Sequence, residues 1–286
     1  MTIGNIKTNL NDIIKILKHK NSKKLYIYCE KNIFKYMEDY INSINQNLQG
    51  IIIHTINKNI DLNEDLIIFV QSIPNIPIDN KNKNIYLLNT EQLSRKNILN
   101  NILKYSKIFT IIDYSKENIE ILELNNVKHT IYFPYIYNKK EIYNISKNKL
   151  ICGVCLDNTA FRKKIINNES FKKLNINNIK GWNEIRDEKL FQHKILINLS
   201  ANTDYNIFEI MRCYRCLFNK MIIISDNKYD NNLIDYKDHI LFSKVEDMPQ
   251  LVSKVINDYG YYYNKLNIDN INMKLNNHLI DKKYLI

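Results

Sequence analysis

The sequence predicts an α/β protein made of two doubly wound halves, each a mostly parallel sheet flanked by helices. Three observations predict it. Short apolar runs of strand length alternate with segments of helical period, the pattern left by βαβ units. The runs are apolar throughout rather than at every second residue, as in DLIIFV (65–70) and KMIIIS (220–225), which suits strands covered on both faces. The alternation stops in a polar, patternless stretch, YNKKEIYNISKNK (137–149), and then restarts.

In chain order, KLYIYC (24–29) is the first strand and residues 31–48 are helical in period. GIIIHTI (50–56) follows with Gly50 as the turn residue before it, then DLIIFV and NIYLL (84–88). A polar turn, NTEQLS (89–94), leads into a helix through Lys104. IFTII (108–112) ends in a turn where Ser115 is a fitting N-cap for a helix over 116–124. Residues 128–133 form the sixth strand, closed by Pro134. After the break, strands are expected at 150–154, 176–179, 194–199, 220–225 and 239–242, with helices at 161–174, 183–191, 206–218 and 246–259. The last presents Met248, Leu251, Val252, Val255, Ile256 and Tyr259 on one face. Two such halves would place a ligand in the cleft between them, at the carboxyl ends of the strands.

Composition narrows the function classes. The 286 residues are 45% hydrophobic and 25% charged, ordinary for a folded chain. The usage is skewed: 51 Ile and 46 Asn stand against two Ala, Ala160 and Ala201. Only five of the 41 basic residues are Arg, namely Arg95, Arg162, Arg186, Arg212 and Arg215. An AT-rich coding bias accounts for this, and it makes each rare residue informative. The net charge of +11 is compatible with nucleic acid or an anionic membrane surface, so peripheral membrane contact stays open. The charge comes from scattered Lys with no run of five, which argues against a dedicated nucleic-acid role and for a small phosphate-bearing ligand. No apolar stretch is long enough for a membrane span, and the N-terminus has no secretory h-region. A cytoplasmic protein is expected.

Of five cysteines, four form CxxC pairs, Cys152–Cys155 and Cys213–Cys216. The pairs are far apart and fall on a strand and a helix, whereas zinc knuckles are tight turns. Free thiols, buried or partly buried, are expected, and no metal site. GxGxxG, GxxxxGK[ST] and GxSxG are all missing, and the five glycines do not cluster. A bound phosphate must therefore be held by a helix N-terminus and by Arg or Lys. No DxD follows an apolar strand.

The most informative segment is KILINLSANTDYNIFEIMRCYRCLFNKMIIISD (194–226): strand, polar loop, amphipathic helix, turn, strand. Ile207, Ile210, Met211, Tyr214, Leu217 and Phe218 share one helix face, with Glu209, Arg212, Cys213 and Cys216 on the other. In a Lys-rich chain, Arg at 212 points to a planar, bidentate donor, which suits a diphosphate.

This segment resembles the C-terminal, donor-binding half of a GT-B glycosyltransferase. A strand with its polar loop, Tyr205–Asn206, a helix opening with Phe208–Glu209, and an apolar strand ending in Ser225–Asp226 carry the resemblance. GVCLDNTAFRKKII (153–166) is similar to the strand–loop–Arg helix that opens that domain, and Gly181–Trp182 to a strand end. IYLLNTEQLS and IIDYSKENIEIL resemble segments of compact GT-B enzymes of bacteria and large DNA viruses, and the residue bias suits a giant virus.

The resemblance implies two Rossmann-like domains with a cleft between. These are an acceptor domain over 1–140, a nucleotide-sugar donor domain over 141–258, and a tail over 259–286 that packs back toward the first. It implies metal-independent, cofactor-free transfer of a sugar from a nucleotide sugar to a glycan, lipid or protein acceptor. The donor-binding residues would be Arg162, Lys163, Tyr205, Asn206, Glu209, Arg212, Ser225 and Asp226. Arg162, Lys163 and Arg212 would neutralise the diphosphate, and Glu209 would hold the ribose hydroxyls. Glu91 is the candidate catalytic base, with Asp113 and His54 behind it. For His54 the competing expectation is a buried core histidine. Many relatives carry an earlier Glu near the donor sugar, where this chain has Ala201. Two other classes remain: a non-catalytic carbohydrate- or nucleotide-binding protein of the same fold, and a basic nucleic-acid-binding α/β protein.

Overall fold

A computed structural model describes residues 24–56, 60–61, 65–74, 84–128, 130–226, 234 and 236–271. Within them the chain forms two compact units, one ending at Ile136 and the other running from Tyr137. The expected tail is described only to Ile271. As far as that it belongs to the second unit, and 272–286 lie outside the described residues, as do the N-terminal residues read for a leader.

The first unit is a six-stranded sheet in the order β2-β1-β3-β4-β5-β6, all parallel. Its strands are β1 (Leu25–Tyr28), β2 (Ile51–Ile53), β3 (Leu66–Val70), β4 (Ile85–Asn89), β5 (Thr110–Asp113) and β6 (Thr130–Tyr132). Its helices are α1 (Lys31–Leu48), α2 (Lys96–Tyr105) and α3 (Lys116–Leu124). Every residue of β3 and β4 is buried, as their unbroken apolar runs require. Alternate residues serve the two faces: Tyr28, Ile67, Phe69, Ile85 and Leu87 enter one core, into which Ile102 of α2 also packs. The helix α1 buries Tyr40, Ile41, Ile44 and Leu48, the spacing of one helical face. It stops where Gln49 turns left-handed, and Asn45 brackets Gly50 through both its N–H and its carbonyl.

The second unit is a five-stranded parallel sheet in the order β11-β10-β9-β7-β8. Its strands are β7 (Lys149–Val154), β8 (Asn177–Ile179), β9 (His193–Asn198), β10 (Ile222–Asp226) and β11 (Ile240–Ser243). Its helices are α4 (Ala160–Ile166), α5 (Glu169–Lys172), α6 (Asn183–Leu190), α7 (Ile210–Phe218), α8 (Met248–Asn257) and α9 (Tyr259–Lys265). Counted within each unit, the second sheet runs 2-1-3-4-5 and the first runs the same order with a sixth strand added, so the chain repeats one topology that no residue-by-residue repeat announces. In this doubly wound, Rossmann-like class the order reverses beside the first strand. Crevices for ligands open there, outside the carboxyl ends of the strands. The reversal lies between β1 and β3 in one unit and between β7 and β9 in the other. At Gly153, on β7, a Cβ would come within 2.5 Å of the buried Leu156, so glycine is needed for that close approach.

The polar stretch after the first unit is fixed to the second. Asn219 accepts from the Tyr143 N–H and donates to the Glu141 carbonyl, and the Lys147 ammonium donates to the carbonyls of Phe191 and His193.

Two local expectations are corrected. The helix expected from Asn206 begins at Ile210, with Glu209 at its N-cap position. Ile207 and Phe208 are both buried, and Phe208 packs edge-on to Phe242 at 5.7 Å between ring centres. Both lie in the irregular segment that leads into α7. Cys213 and Cys216, placed opposite the apolar face, are fully buried with it: α7 is enclosed on nearly every side from residue 213 onward. All five cysteines are free thiols.

Candidate functional site

At the carboxyl edge of the second sheet, β9 ends in Asn198 and β10 in Ser225–Asp226. Asn198 donates to the Ser225 hydroxyl at 2.9 Å and accepts from the Arg212 guanidinium at 2.9 Å. Both carboxylate oxygens of Asp226 accept the Ser200 N–H at 2.9 Å, which fixes the start of the loop after β9. Parallel pairing sets Ser225 opposite Asn198 in register, so the ladder itself builds this contact. Arg212 reaches the same point from the first turn of α7.

Arg162 lies one turn into α4, behind the Thr159 N-cap, and is buried. Its guanidinium donates to the carbonyls of Leu199 (2.9 and 2.6 Å) and Ser200 (3.3 Å), and to Cys155 (3.4 Å) and the Asn158 side chain (3.1 Å). It thus ties the ends of β7 and β9 together across the point of order reversal. Burial, and then the nearby Arg212, push its pKa down to about 10, opposed by Glu209 and Asp226. Four of the residues named from sequence, Arg162, Glu209, Arg212 and Asp226, are therefore one electrostatic neighbourhood. Two guanidiniums thus sit among two carboxylates, with Arg212 acting on Arg162 as a like charge. Tyr205 and Asn206 lie half-buried in the connecting loop, and Lys163 is exposed beside Arg162. The structure gives Arg162 chiefly a carbonyl-binding, loop-fixing part, and leaves Arg212 and Lys163 as the more accessible cations.

Arg215, to which sequence reasoning assigned no part, is 4% exposed and binds two carboxylates, Asp187 and Glu141. Arg186 pairs with Asp187 as well, at 2.7 Å. Its signal was rarity alone. Asn198 was missed because one Asn among 46 carries no surprise. A cavity of about 480 Å³ flanks α4, α5 and the start of α8, walled by Phe161, Ile165, Phe171, Val245 and Pro249. None of these residues was named from sequence.

In the first unit the carboxyl edge is built from amides and carboxylates. Glu91 accepts from Gln71 at 2.7 Å and from Arg95 at 2.8 Å, and does not cap α2, which starts at Lys96. Gln71 holds a left-handed backbone, φ 64°, directly after β3. Across the order reversal the Ser72 hydroxyl donates to Glu30 at 2.8 Å. The Thr90 hydroxyl beside Glu91 is buried with no hydrogen bond to another described residue. Asp113 is completely buried, and burial pushes its pKa up to about 7 against hydrogen bonds from Asn89, Ser115 and Asn118 that favour the charge. The expectation of a buried core histidine at 54 is overturned. Strand β2 ends at Ile53, and His54 is exposed, its Nδ1 2.7 Å from the Cys29 carbonyl oxygen and its ring edge-on to Phe34.

Among the described residues no helix is long and apolar enough to cross a membrane. No known family model matches the chain. It is 32% identical to the uncharacterized protein L138 of Acanthamoeba polyphaga mimivirus over 82% of this chain and 29% of that protein. It is 30% identical to the uncharacterized protein L137 of the same virus over 85% of this chain and 35% of that protein. The chain thus spans about a third of each of those two relatives. With a third mimivirus protein, the uncharacterized L140, it shares 30% identity over 74% of this chain and 72% of the relative. At that identity and mutual coverage, the chain belongs to the same family as this giant-virus protein.

Proposed function

We propose that the chain is a GT-B type glycosyltransferase whose second unit binds a nucleoside diphosphate sugar. The finer fold assignment, two GT-B domains with the ligand cleft between them, belongs to the same proposal. The observation that carries it is the convergence of Arg162, Arg212, Glu209 and Asp226 at the carboxyl edge of a doubly wound sheet, beside the point where the strand order reverses.

In this reading the diphosphate takes its countercharge from Arg212 and Lys163 and from the N–H groups that open α7, so no metal is required. Arg162 keeps the loops that frame the phosphates in place. Glu209, at the N-cap position of α7, accepts from ribose hydroxyls, and Tyr205, Asn206 and Ser225 complete the donor contacts. Glu91, oriented by Gln71 and Arg95, takes the proton from the acceptor hydroxyl as the bond to the sugar forms. Ala201 supplies no carboxylate near the donor sugar, which favours a second reading, a binding protein of the same fold without transfer.

Incubating the protein with a panel of nucleotide sugars, and following nucleoside diphosphate release with and without glycan acceptors, separates the two. Release that falls at least about tenfold in Glu91→Gln supports transfer. Binding without release supports the non-catalytic reading, and neither binding nor release overturns both.

A further inference from the structure

In the first unit a single buried carboxylate is joined to both ends of the loop that carries Glu91. Asp113 closes β5 at 0% exposure. Its Oδ1 accepts the Ser115 N–H at 2.9 Å and the Asn118 side-chain amide at 2.8 Å, and its Oδ2 accepts the Asn89 side-chain amide at 2.6 Å. The same two amides hold the loop backbone. Asn89 donates to the Glu91 carbonyl at 2.8 Å and accepts the Glu91 N–H at 3.1 Å. Asn118 donates to the Glu91 carbonyl at 3.0 Å and accepts the Leu93 N–H at 2.8 Å. The Glu91 N–H and carbonyl and the Leu93 N–H are therefore each held by a side chain that Asp113 binds.

We infer that Asp113 is a positioning residue. Its charged carboxylate fixes the orientation of the Asn89 and Asn118 amides, and these set the backbone from which Glu91 is presented. The logic is one of donors and acceptors. An ionised carboxylate only accepts, so both amides must turn their NH₂ toward it and their oxygens toward the loop N–H groups. A proton on Oδ2 would face the Asn89 NH₂, donor against donor. Rotating that amide would relieve the clash but turn its NH₂ onto the Glu91 N–H. Protonation of Asp113 therefore releases the Asn89 hold on Glu91, and the loop is fixed above the Asp113 pKa and loosened below it. The titratable groups around Asp113 are Tyr40 on α1, Glu117 on α3, Tyr132 opposite it on β6, and Glu91 with Arg95 on the loop side. Lys116 sits over the Tyr132 ring. Asp113 makes no direct contact with substrate in this scheme, which removes it from the candidate bases.

The consequence for Glu91 as a base rests on the proposed function, but the positioning itself does not, and the test reads it without substrate. In the full chain, amide NMR of Glu91 and Leu93 is followed with pH together with the Asp113 carboxyl carbon. The expected result is a common titration midpoint for all three. In Asp113→Asn the step disappears, and hydrogen exchange at the Glu91 and Leu93 amides speeds by about tenfold or more. If that variant does not fold, the wild-type titration decides alone. Glu91 and Leu93 amides that ignore the Asp113 midpoint overturn the inference, as does unchanged protection in the variant. If wild type transfers no sugar yet the titrations coincide, the glycosyltransferase reading falls and the positioning stands.

Discussion

The two units share a strand order, yet their carboxyl edges differ in charge. The first holds its loops with Glu30, Glu91, Asp113 and three amide side chains, with Arg95 the one arginine in the set. The second uses Arg162 and Arg212 with Asp226, while Arg215, in the last turn of α7, meets Asp187 and Glu141 away from that edge. One scaffold thus sets different side chains just past its strand ends in the two units. In a doubly wound sheet the ladder fixes where strand ends lie, while the residues just past those ends fix what they can bind.

The largest test of this contrast is Arg215→Met. It strands Glu141 and leaves Asp187 with Arg186 alone, and about 3 kcal/mol of second-unit stability is expected to be lost. Urea unfolding followed by hydrogen exchange in each unit reads this. Equal loss of protection in the first unit would break the separation drawn between them.

Arg162→Lys comes next. An ammonium cannot reproduce a fork that reaches Leu199, Ser200 and Cys155 together, so about 1–3 kcal/mol of destabilisation is expected by the same unfolding measurement. A neutral result would mean the loops need no clamp, and would return Arg162 to the role of a ligand contact.

The pH dependence that Asp113 gives the first unit is a smaller effect, opposite in sign to that of a carboxylate whose pKa folding lowers. Burial raises the Asp113 pKa from 3.8 to about 7, so the folded state binds the proton more tightly than the unfolded chain. Its contribution to stability is complete below pH about 4 and is lost as pH rises through about 7. Asp113→Asn flattens that slope in denaturation curves collected between pH 4 and 8. An unchanged slope would assign the dependence to another group.

Much of this fold was legible in the sequence. Among the described residues the central strands, such as β3, β4 and β10, lie on apolar runs, because strands buried on two faces leave no room for polar residues, whereas the edge strand β8 reads Asn-Asn-Ile and is partly exposed. The limits were physical. The start of α7 was misplaced because Ile207 and Phe208 fit a helical period as well as an extended entry. His54 was taken for core because its strand reads GIIIHTI, although pairing stops at Ile53. The networks around Asn89, Asn118 and Asn198 were invisible because Asn is common throughout the chain. The arginines were visible because they are rare. Yet rarity could not separate Arg215, which holds carboxylates, or Arg162, which holds carbonyls, from Arg212, which the proposal gives to a ligand.

Arg212→Ala carries the smallest expected change in stability, within about 1 kcal/mol, since it removes one partly exposed hydrogen bond to Asn198. It is also the variant closest to the central claim. Wild type and Arg212→Ala are melted side by side with UDP, GDP and dTDP over a range of concentrations. A nucleotide site at the second carboxyl edge predicts that at least one nucleotide raises the wild-type midpoint with concentration, and that the variant shifts clearly less at the same concentration. No shift with any of the three, or equal shifts in both proteins, contradicts it.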